Sequence, residues 1–245
     1  VLESLLKYGA NYDSQNKFGM SPLMYASQNG HFEILQKLIN RDANVNLTSQ
    51  NGSTALMWAI RSGHEKTAKL LLESGADLHS SENEFKMSPI LLSAKYGRNG
   101  ILKDLLFSGS DINAVDKHGA NALIKALSYN HFETALLLIE GGISVNIPNQ
   151  NKLTPLMISS SKGNFELTDM LIEKGAKVNV MDKNGKTALM YAAAEGNTNI
   201  VKLLLREKSR LDFRDRFGMT AWMHAVENKN IPVVEFLSKK EIDNN

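Results

Sequence analysis

The stretch Asp182–Leu205, DKNGKTALMYAAAEGNTNIVKLLL, decides the fold of this chain. It opens with a turn signal, Asp-Lys-Asn-Gly, whose glycine readily adopts positive φ. Thr187 then supplies an N-cap hydroxyl for a short helix of small and apolar residues. Gly196-Asn197 ends that helix, and an amphipathic helix follows that ends in three leucines. Neither helix is long enough to be stable alone, so the unit needs neighbours of its own kind.

The rest of the sequence supplies those neighbours, because the glycines and the N-cap residue of this stretch recur at steps of 33 residues with one inserted residue. A self-similar period of this length is typical of a stacked repeat array. The predicted N-cap column reads Ser21, Thr54, Ser88, Asn121, Thr154, Thr187 and Thr220. Three copies place a proline at the first helical position, where its missing N–H costs nothing: Pro22, Pro89 and Pro155.

The recurring pattern resembles that of ankyrin-repeat proteins over nearly the whole chain. The resemblance is carried by the segments SPLMYASQNGHFEILQKL, TALMWAIRSGHEKTAKLLLESGAD and TPLMISSSKGNFELTDMLIEKGAKVN. The resemblance implies an all-α solenoid of stacked helix-turn-helix units with short β-hairpin or turn fingers, curved so that it has a concave face. The expected organisation is a single array whose parts are a partial repeat at 1–15, full repeats at 16–48, 49–82, 83–115, 116–148, 149–181 and 182–213, and a C-terminal capping repeat at 214–245.

The sequence departs from the family pattern at three places. The family's usual histidine in the first helix is replaced by an apolar residue in every copy, which predicts a more apolar core between repeats. The replacing residues are Met24, Met57, Leu91, Ile124, Met157, Met190 and Met223. The inserted residue falls in 79–86, where Lys86 stands in the place of the finger glycine, and a distorted or extended fingertip is expected there. Lys152 also replaces a finger glycine, and Asn151 beside it is expected to take the positive φ.

The two ends of the chain lead to different expectations. Residues 1–10 align with the second helix of a repeat that lacks its first helix, so we expect further repeats or domains on the N-terminal side. Ser238 and Glu241 replace an apolar residue and a glycine of the other copies, which is typical of a capping repeat. Within the core, the pattern predicts that Leu137→Ala or Leu204→Ala costs about 2–5 kcal/mol.

Composition excludes several classes of function. The 28 basic and 26 acidic residues leave a formal charge of +2, which does not favour nucleic acid or a membrane surface as partner. The chain has no cysteine, which excludes disulfides and thiolate chemistry and suits a reducing compartment. No apolar run approaches the roughly 18 residues of a membrane span. We therefore expect a protein of the cytoplasm without a membrane span.

The sequence contains no convincing catalytic, cofactor or metal motif. Gly185-Lys186-Thr187 resembles the end of a phosphate loop, but the glycine that this motif needs five residues earlier is Val180. Three histidines occupy one repeat column, which favours capping or packing over metal ligation: His31, His64 and His131. We therefore predict a protein that is not an enzyme and that uses no cofactor and no metal.

What remains is the surface of the fingers and of the first helices, where the resemblance implies that partners bind. Aromatic residues, methionine and arginine are typical anchors of protein interfaces. The candidate partner-binding residues are Phe18, Met20, Tyr25, Trp58, Arg61, Phe85, Met87, Tyr96, Lys125, Tyr129, Tyr191, Phe217 and Met219. The alternative for the Phe and Met residues is that they pack on neighbouring fingers.

Three hypotheses of function follow. The first is a non-catalytic scaffold that binds a protein or an extended peptide on its concave face. The second is a targeting module of a longer protein, such as an enzyme, a channel or a microbial effector. The third and weakest is nucleic-acid binding along a stripe of basic finger residues, which acidic residues such as Glu195 and Glu227 interrupt.

Overall fold

The computed structural model describes residues 11–82 and 85–243, and the side chains as far as residue 240. Within these ranges the protein is all-α, with fourteen helices and no strand. The fingers are turns, of which two are closed by isolated bridges, Glu82 with Met87 and Val115 with Asn121. The predicted partial repeat lies largely outside the described residues, and so do Asn83 and Glu84 of the inserted segment.

The helices come in pairs along the chain. The first helices of the pairs are α1 (Pro22–Asn29), α3 (Ala55–Ser62), α5 (Pro89–Lys95), α7 (Ala122–Ser128), α9 (Pro155–Lys162), α11 (Ala188–Ala194) and α13 (Ala221–Glu227). The second helices are α2 (Phe32–Ile39), α4 (Glu65–Glu73), α6 (Asn99–Phe107), α8 (Phe132–Glu140), α10 (Phe165–Glu173), α12 (Thr198–Arg206) and α14 (Ile231–Asp243). The all-α repeat solenoid expected from the sequence is therefore the observed fold class.

The predicted N-cap column begins all seven first helices. Each residue is extended, and in six of the seven the side chain accepts a hydrogen bond from the N–H three residues later. Ser88 is the exception, since its buried hydroxyl has no hydrogen-bond partner in the part of the chain that the structure describes. A capping bond of this kind contributes about 1 kcal/mol, which matters for helices of only seven or eight residues.

Two lysines adopt the left-handed conformation that glycine has in the other fingers. Lys86 has φ 50° and Lys152 has φ 58°, whereas the equivalent Gly19 has φ 72°. The expectation that Asn151 would take the positive φ was wrong, because the turn needs it at the position that follows. The finger at Lys86 keeps its hydrogen bond to the next finger, from Lys117 N–H to the carbonyl of Phe85 at 3.0 Å.

The core lies between successive layers. The apolar column that replaces the family histidine is buried in the first six copies, as predicted, and Met223 is half-buried. Leu204 is fully buried, but Leu137 is only half-buried. The buried counterpart of Leu204 in that repeat is Leu138, so the sequence assignment was shifted by one residue there.

The contacts divide the chain into two compact units, one ending at Thr134 and one beginning at Ala135. In each unit successive first helices pack on one another, and so do successive second helices. The expectation of one continuous array concerns how these units are joined, and it stays a prediction.

Side chains at the start of second helices join neighbouring layers. Asn197 Nδ2 donates to the carbonyls of Ser160 and Ser161 at 2.8 and 3.1 Å, at the end of the preceding first helix. Arg98 makes the equivalent contact with the end of α3, where its Nε donates to the carbonyl of Ile60 at 3.2 Å and its Nη2 to that of Arg61 at 2.8 Å. His64 Nε2 lies 3.2 Å from the carbonyl of Gln28, so this member of the histidine column has a structural role.

Candidate functional site

An open cleft lies between the first two described layers of the first unit. It has a volume of about 380 Å³ and is lined by Phe18, Met20, Tyr25, Gln28, Ser49, Gln50, Asn51 and Trp58. The structure therefore brings four of the sequence-predicted residues together in one place. Phe18 and Tyr25 are 56% and 44% exposed and form its rim, while Met20 is buried beneath them. We call this feature the Trp58 cleft.

Trp58 carries a polar atom that no described residue satisfies. Its indole Nε1 is buried and has no hydrogen-bond partner within 11–82 and 85–243. A buried indole N–H usually finds an acceptor, and leaving one unpaired costs about 1–3 kcal/mol.

Arg61 is fixed beside Trp58. Its guanidinium carbon lies 5.3 Å from the centre of the Trp58 ring, within the range of a cation–π contact. Its Nη2 forms an ion pair with Glu82, whose other oxygen accepts from Ser53 Oγ at 2.8 Å. Arg61 Nε is buried, and no described residue accepts a hydrogen bond from it. Arg61 is thus held in place by a carboxylate and presents a rigid cationic face to the ring.

The other polar candidates on the first helices bind their own fingers. Nine residues separate each hydrogen-bonded pair: Asn16 Nδ2 to Tyr25 Oη at 2.9 Å, Lys125 Nζ to Asp116 Oδ2 at 2.5 Å, Tyr191 Oη to Asp182 Oδ2 at 2.8 Å, and His224 Nε2 to Asp215 Oδ2 at 2.9 Å. The recurring offset shows a structural device that ties each finger to its first helix. Lys125 and Tyr191 therefore already have intramolecular partners.

These hydrogen-bonded pairs shift the pKa values of Asp116, Asp215 and Tyr191. Burial alone would raise the pKa of Asp116, but hydrogen bonds from Lys125 and from the N–H groups of Ala120 and His118 outweigh it, so the pKa lies below its usual value. The pKa of Asp215 is lowered in the same way, against its burial. The pKa of Tyr191 is raised by burial and by Asp182.

Two of the predicted contact residues lie below the fingertip surface, and their role in partner binding stays a prediction. Met20 and Met87 are 8% and 6% exposed, so neither is available on a fingertip. The chain turns back at this position: Met20 O accepts from Asn16 N at 3.1 Å and Met87 O accepts from Glu82 N at 3.1 Å. This return directs the side chain inward, and the third methionine, Met219, is half-buried.

The phenylalanines of the same three fingers are exposed, and each has a cation on its ring. The distances from the cation to the ring centre are 5.0 Å for Lys17 on Phe18, 4.0 Å for Lys117 on Phe85 and 4.5 Å for Arg216 on Phe217. The exposed faces of these fingers are consequently both aromatic and positively charged.

A second aromatic group lies at the ends of α5 and α7. Lys95 Nζ is 5.4 Å from the ring centre of Tyr96 and 5.5 Å from that of Tyr129. Tyr129 is exposed and Tyr96 is half-buried.

Sequence reasoning missed the acids that anchor the first helices and a basic cavity in the second unit. The acids could have been found from their constant offset of nine residues to lysine, tyrosine or histidine. The cavity could have been found from Arg206 and Arg214, which stand at positions where the earlier repeats have no cation, together with Lys202.

Within 11–82 and 85–243, no three His, Cys, Asp or Glu residues are placed to hold a metal ion. The buried contact of His224 with Asp215 has a second acid beside it, Glu227 at 3.6 Å from Nδ1. In the same ranges, no helix combines the length and the apolar character needed to cross a membrane.

Comparison with known proteins identifies the repeat. The sequence profile described as "Ankyrin repeats (3 copies)" matches residues 1–82, 90–182 and 176–245. The chain belongs to the ankyrin-repeat family. Members of this family are generally protein–protein interaction modules and are typically non-catalytic.

Similar proteins include ankyrin repeat and SOCS box protein 6 from Homo sapiens and from Pongo abelii, each 39% identical over 83 residues. That match covers 31% of this chain and 20% of the relative. Human neurogenic locus notch homolog protein 2 is 38% identical over 55 residues, which is 22% of this chain and 2% of the relative. The chain thus spans about a fifth or less of the length of these curated relatives.

Proposed function

We propose that this protein is a non-catalytic interaction module that holds an extended segment of a partner protein along the fingers and first helices of its repeats. The ankyrin-repeat family supports the general role. The resemblance stated above implies that this surface forms a concave face, and we propose the same use of it here. The Trp58 cleft is the observation that carries the specific part of the proposal.

The cleft suits one large apolar side chain of the partner. Protein interfaces depend on a few aromatic and arginine anchors that fill desolvated pockets. Phe18 and Tyr25 offer exposed ring surface at the rim, and the buried Met20 gives an apolar floor. The Trp58 N–H still needs an acceptor, which a main-chain carbonyl of an extended segment can supply.

The charges around the cleft favour acidic residues in that segment. Lys17 and Lys95 are held against aromatic rings, which carry no opposite charge. Two described acids of the following fingers, Glu82 and Asp116, are buried and already paired with Arg61 and Lys125. The surface available to a partner is therefore aromatic and net positive, which also increases the rate of encounter with acidic segments.

The test is a selection of peptides from a random library against the whole protein. Selected peptides should combine a large apolar residue with acidic neighbours, and their affinity should fall at least about tenfold for Trp58→Ala, since anchor residues contribute about 2 kcal/mol or more. Phe107→Ala is the matched control, because Phe107 is 95% exposed in the same unit but does not line the cleft. Peptides that bind Trp58→Ala as tightly as the unmodified protein would refute the proposal.

A second proposal is that the module targets a longer protein. The observation in favour is that the similar proteins are much longer than the matched region. Sequencing the parent transcript tests this directly, and an open reading frame confined to these repeats would exclude it. A cytoplasmic location also stays a prediction, to be checked by imaging a tagged full-length protein.

A further inference from the structure

The second unit contains a cavity that the proposed binding surface does not use. Its volume is about 900 Å³, and it lies along α12, the connection that follows it, and α14. Its lining includes Lys202, Arg206, Ser209, Arg214, Phe236 and Lys240. A volume of this size is typical of small-molecule sites.

The lining is basic, and its acid is already neutralised. Asp212, which also lines the cavity, accepts two hydrogen bonds from Arg210, at 3.0 Å from Nε and 2.6 Å from Nη2. Lys202 Nζ lies 5.5 Å from the ring centre of Phe236, and Arg214 Nη1 donates to the carbonyl of Gly218 at 2.9 Å. Among the side chains described as far as residue 240, neither of these two cations forms an ion pair with a carboxylate.

Arg206 is the third cation of this lining, and the two acids that it contacts lie outside the lining. Its Nη2 is 3.6 Å from Asp169, and its Nε is 3.0 Å from Glu207. Neither acid lines the cavity. A fork-shaped guanidinium keeps donors for a further anion when one edge is occupied.

A buried hydroxyl lies in the lining of the cavity. Ser209 is 9% exposed, and its Oγ is buried without a hydrogen-bond partner among the described residues. The same repeat position is alanine at Ala76 and Ala176, so the fold does not require a hydroxyl there. An oxygen atom of a ligand in the cavity would satisfy it.

The basic lining is also not a general property of the repeat. One layer earlier, 33 residues before Lys202, Arg206 and Arg214, the equivalent residues are two acids and a thioether: Asp169, Glu173 and Met181. The cations therefore occur together only where the cavity is.

We propose that this cavity binds a small, multiply charged phosphate ester. Lys202, Arg206 and Arg214 supply the positive charge, with arginine suited to bidentate contact with phosphate oxygens. Ser209 donates a hydrogen bond to one phosphate oxygen, and Phe236 forms an apolar wall for the carbon skeleton. The site lies within the second unit, so it does not depend on the Trp58 cleft.

Calorimetric titration of the full chain with inositol hexakisphosphate tests this proposal. We expect binding with one ligand per chain. The affinity should fall at least about tenfold for Lys202→Met combined with Arg214→Gln, and about fivefold for Ser209→Ala, the loss of one hydrogen bond. Ser209→Ala introduces the residue that the repeat already uses at this position, so folding is expected to be unaffected, as circular dichroism will verify.

Two matched controls keep the result specific. Ser110→Ala removes an equally buried and unpartnered hydroxyl at the same repeat position in the first unit, and Lys103→Met removes the same charge as Lys202→Met. Neither should change the affinity. Equal losses in the controls, or no binding of either the soluble probe at millimolar concentration or the phosphoinositide vesicles described next, would overturn the proposal.

A second arm separates the two sources of such a phosphate. Flotation with phosphatidylcholine vesicles containing a phosphatidylinositol bisphosphate tests a lipid headgroup, and the soluble probe tests a free metabolite. Binding in either arm that is lost in the Lys202 and Arg214 double variant supports the site and identifies the source. Binding that the double variant retains in both arms contradicts it.

Discussion

Replacing Lys125 with isoleucine should destabilise the protein strongly, although lysine is usually a tolerant surface residue. Asp116 is 4% exposed, and the Lys125 ammonium lies 2.5 Å from its Oδ2. The substitution leaves that carboxylate buried without its counter-ion. Two hydrogen bonds remain, from the N–H groups of His118 and Ala120 at 2.8 and 2.9 Å, and both go to Oδ1.

The expected cost is about 3 kcal/mol at neutral pH, since breaking one partner of a buried ion pair costs about 3–5 kcal/mol and the two remaining bonds reduce it. The chain itself contains the uncharged version of this pair. In the next repeat the equivalent residues are Asn149 and Ile158, and Asn149 Oδ1 accepts the same two kinds of backbone bond at 2.9 and 3.0 Å. The double variant Asp116→Asn with Lys125→Ile should therefore recover to within about 1 kcal/mol of the unmodified protein.

Urea unfolding followed by circular dichroism measures both effects. In the unmodified protein the lowered pKa of Asp116 contributes stability above the unfolded-state pKa of about 3.9, and this contribution is lost as the pH falls through the folded-state value. Without Lys125 the pKa of Asp116 rises, because the charged form loses its counter-ion. On acidification a proton then neutralises the buried carboxylate, so the stability deficit of Lys125→Ile relative to the unmodified protein should shrink from pH 7 to about pH 4.5. A deficit below about 1 kcal/mol at pH 7, or one that grows on acidification, would refute the reasoning.

Three further predictions concern stability. Leu204→Ala should cost about 2–5 kcal/mol of unfolding free energy because Leu204 is fully buried, whereas Leu137→Ala should cost clearly less; equal costs in urea titrations would contradict the assignment of the core. Asn197→Ala removes two hydrogen bonds to the preceding layer and should cost about 1–3 kcal/mol, seen as a lower urea midpoint, while an unchanged midpoint would show that this contact adds nothing. Tyr191 should ionise at higher pH than the exposed tyrosines in an alkaline absorbance titration, because burial and Asp182 raise its pKa. The stability that comes from the raised pKa of Tyr191 is present below about pH 10 and is lost as the pH rises further. Tyr191→Phe should therefore reduce the loss of unfolding free energy at alkaline pH. An alkaline loss equal to that of the unmodified protein would contradict this prediction.

The fold followed from the sequence because its determinants are local and repeated. An N-cap hydroxyl such as Thr187 acts within three residues, and a finger glycine such as Gly185 needs only its own φ. Where another residue type occupies such a position, the prediction failed. Lys152 takes the left-handed conformation itself because the turn and its contacts impose it, although a lysine does not favour that conformation by itself.

The binding surface was predicted less well, because exposure depends on how a finger folds back. Phe18 and Met20 are separated by one residue, yet one is exposed and the other is buried. Composition marks both as interface residues, and only the direction of the chain after the turn separates them. Lys125 shows the same limit, since its partner Asp116 is visible in the sequence but its burial is not.

The central claim is that a partner segment occupies the Trp58 cleft and satisfies its buried N–H. The chain has two tryptophans, so an amide and indole spectrum of the nitrogen-labelled protein contains two indole signals, which Trp222→Phe assigns. Trp222 already donates to Ser238 Oγ at 2.9 Å and serves as the internal reference. With a saturating selected peptide, the Trp58 signal should move downfield as its N–H gains an acceptor while the Trp222 signal stays in place. A bound peptide that leaves the Trp58 signal unmoved would contradict the account.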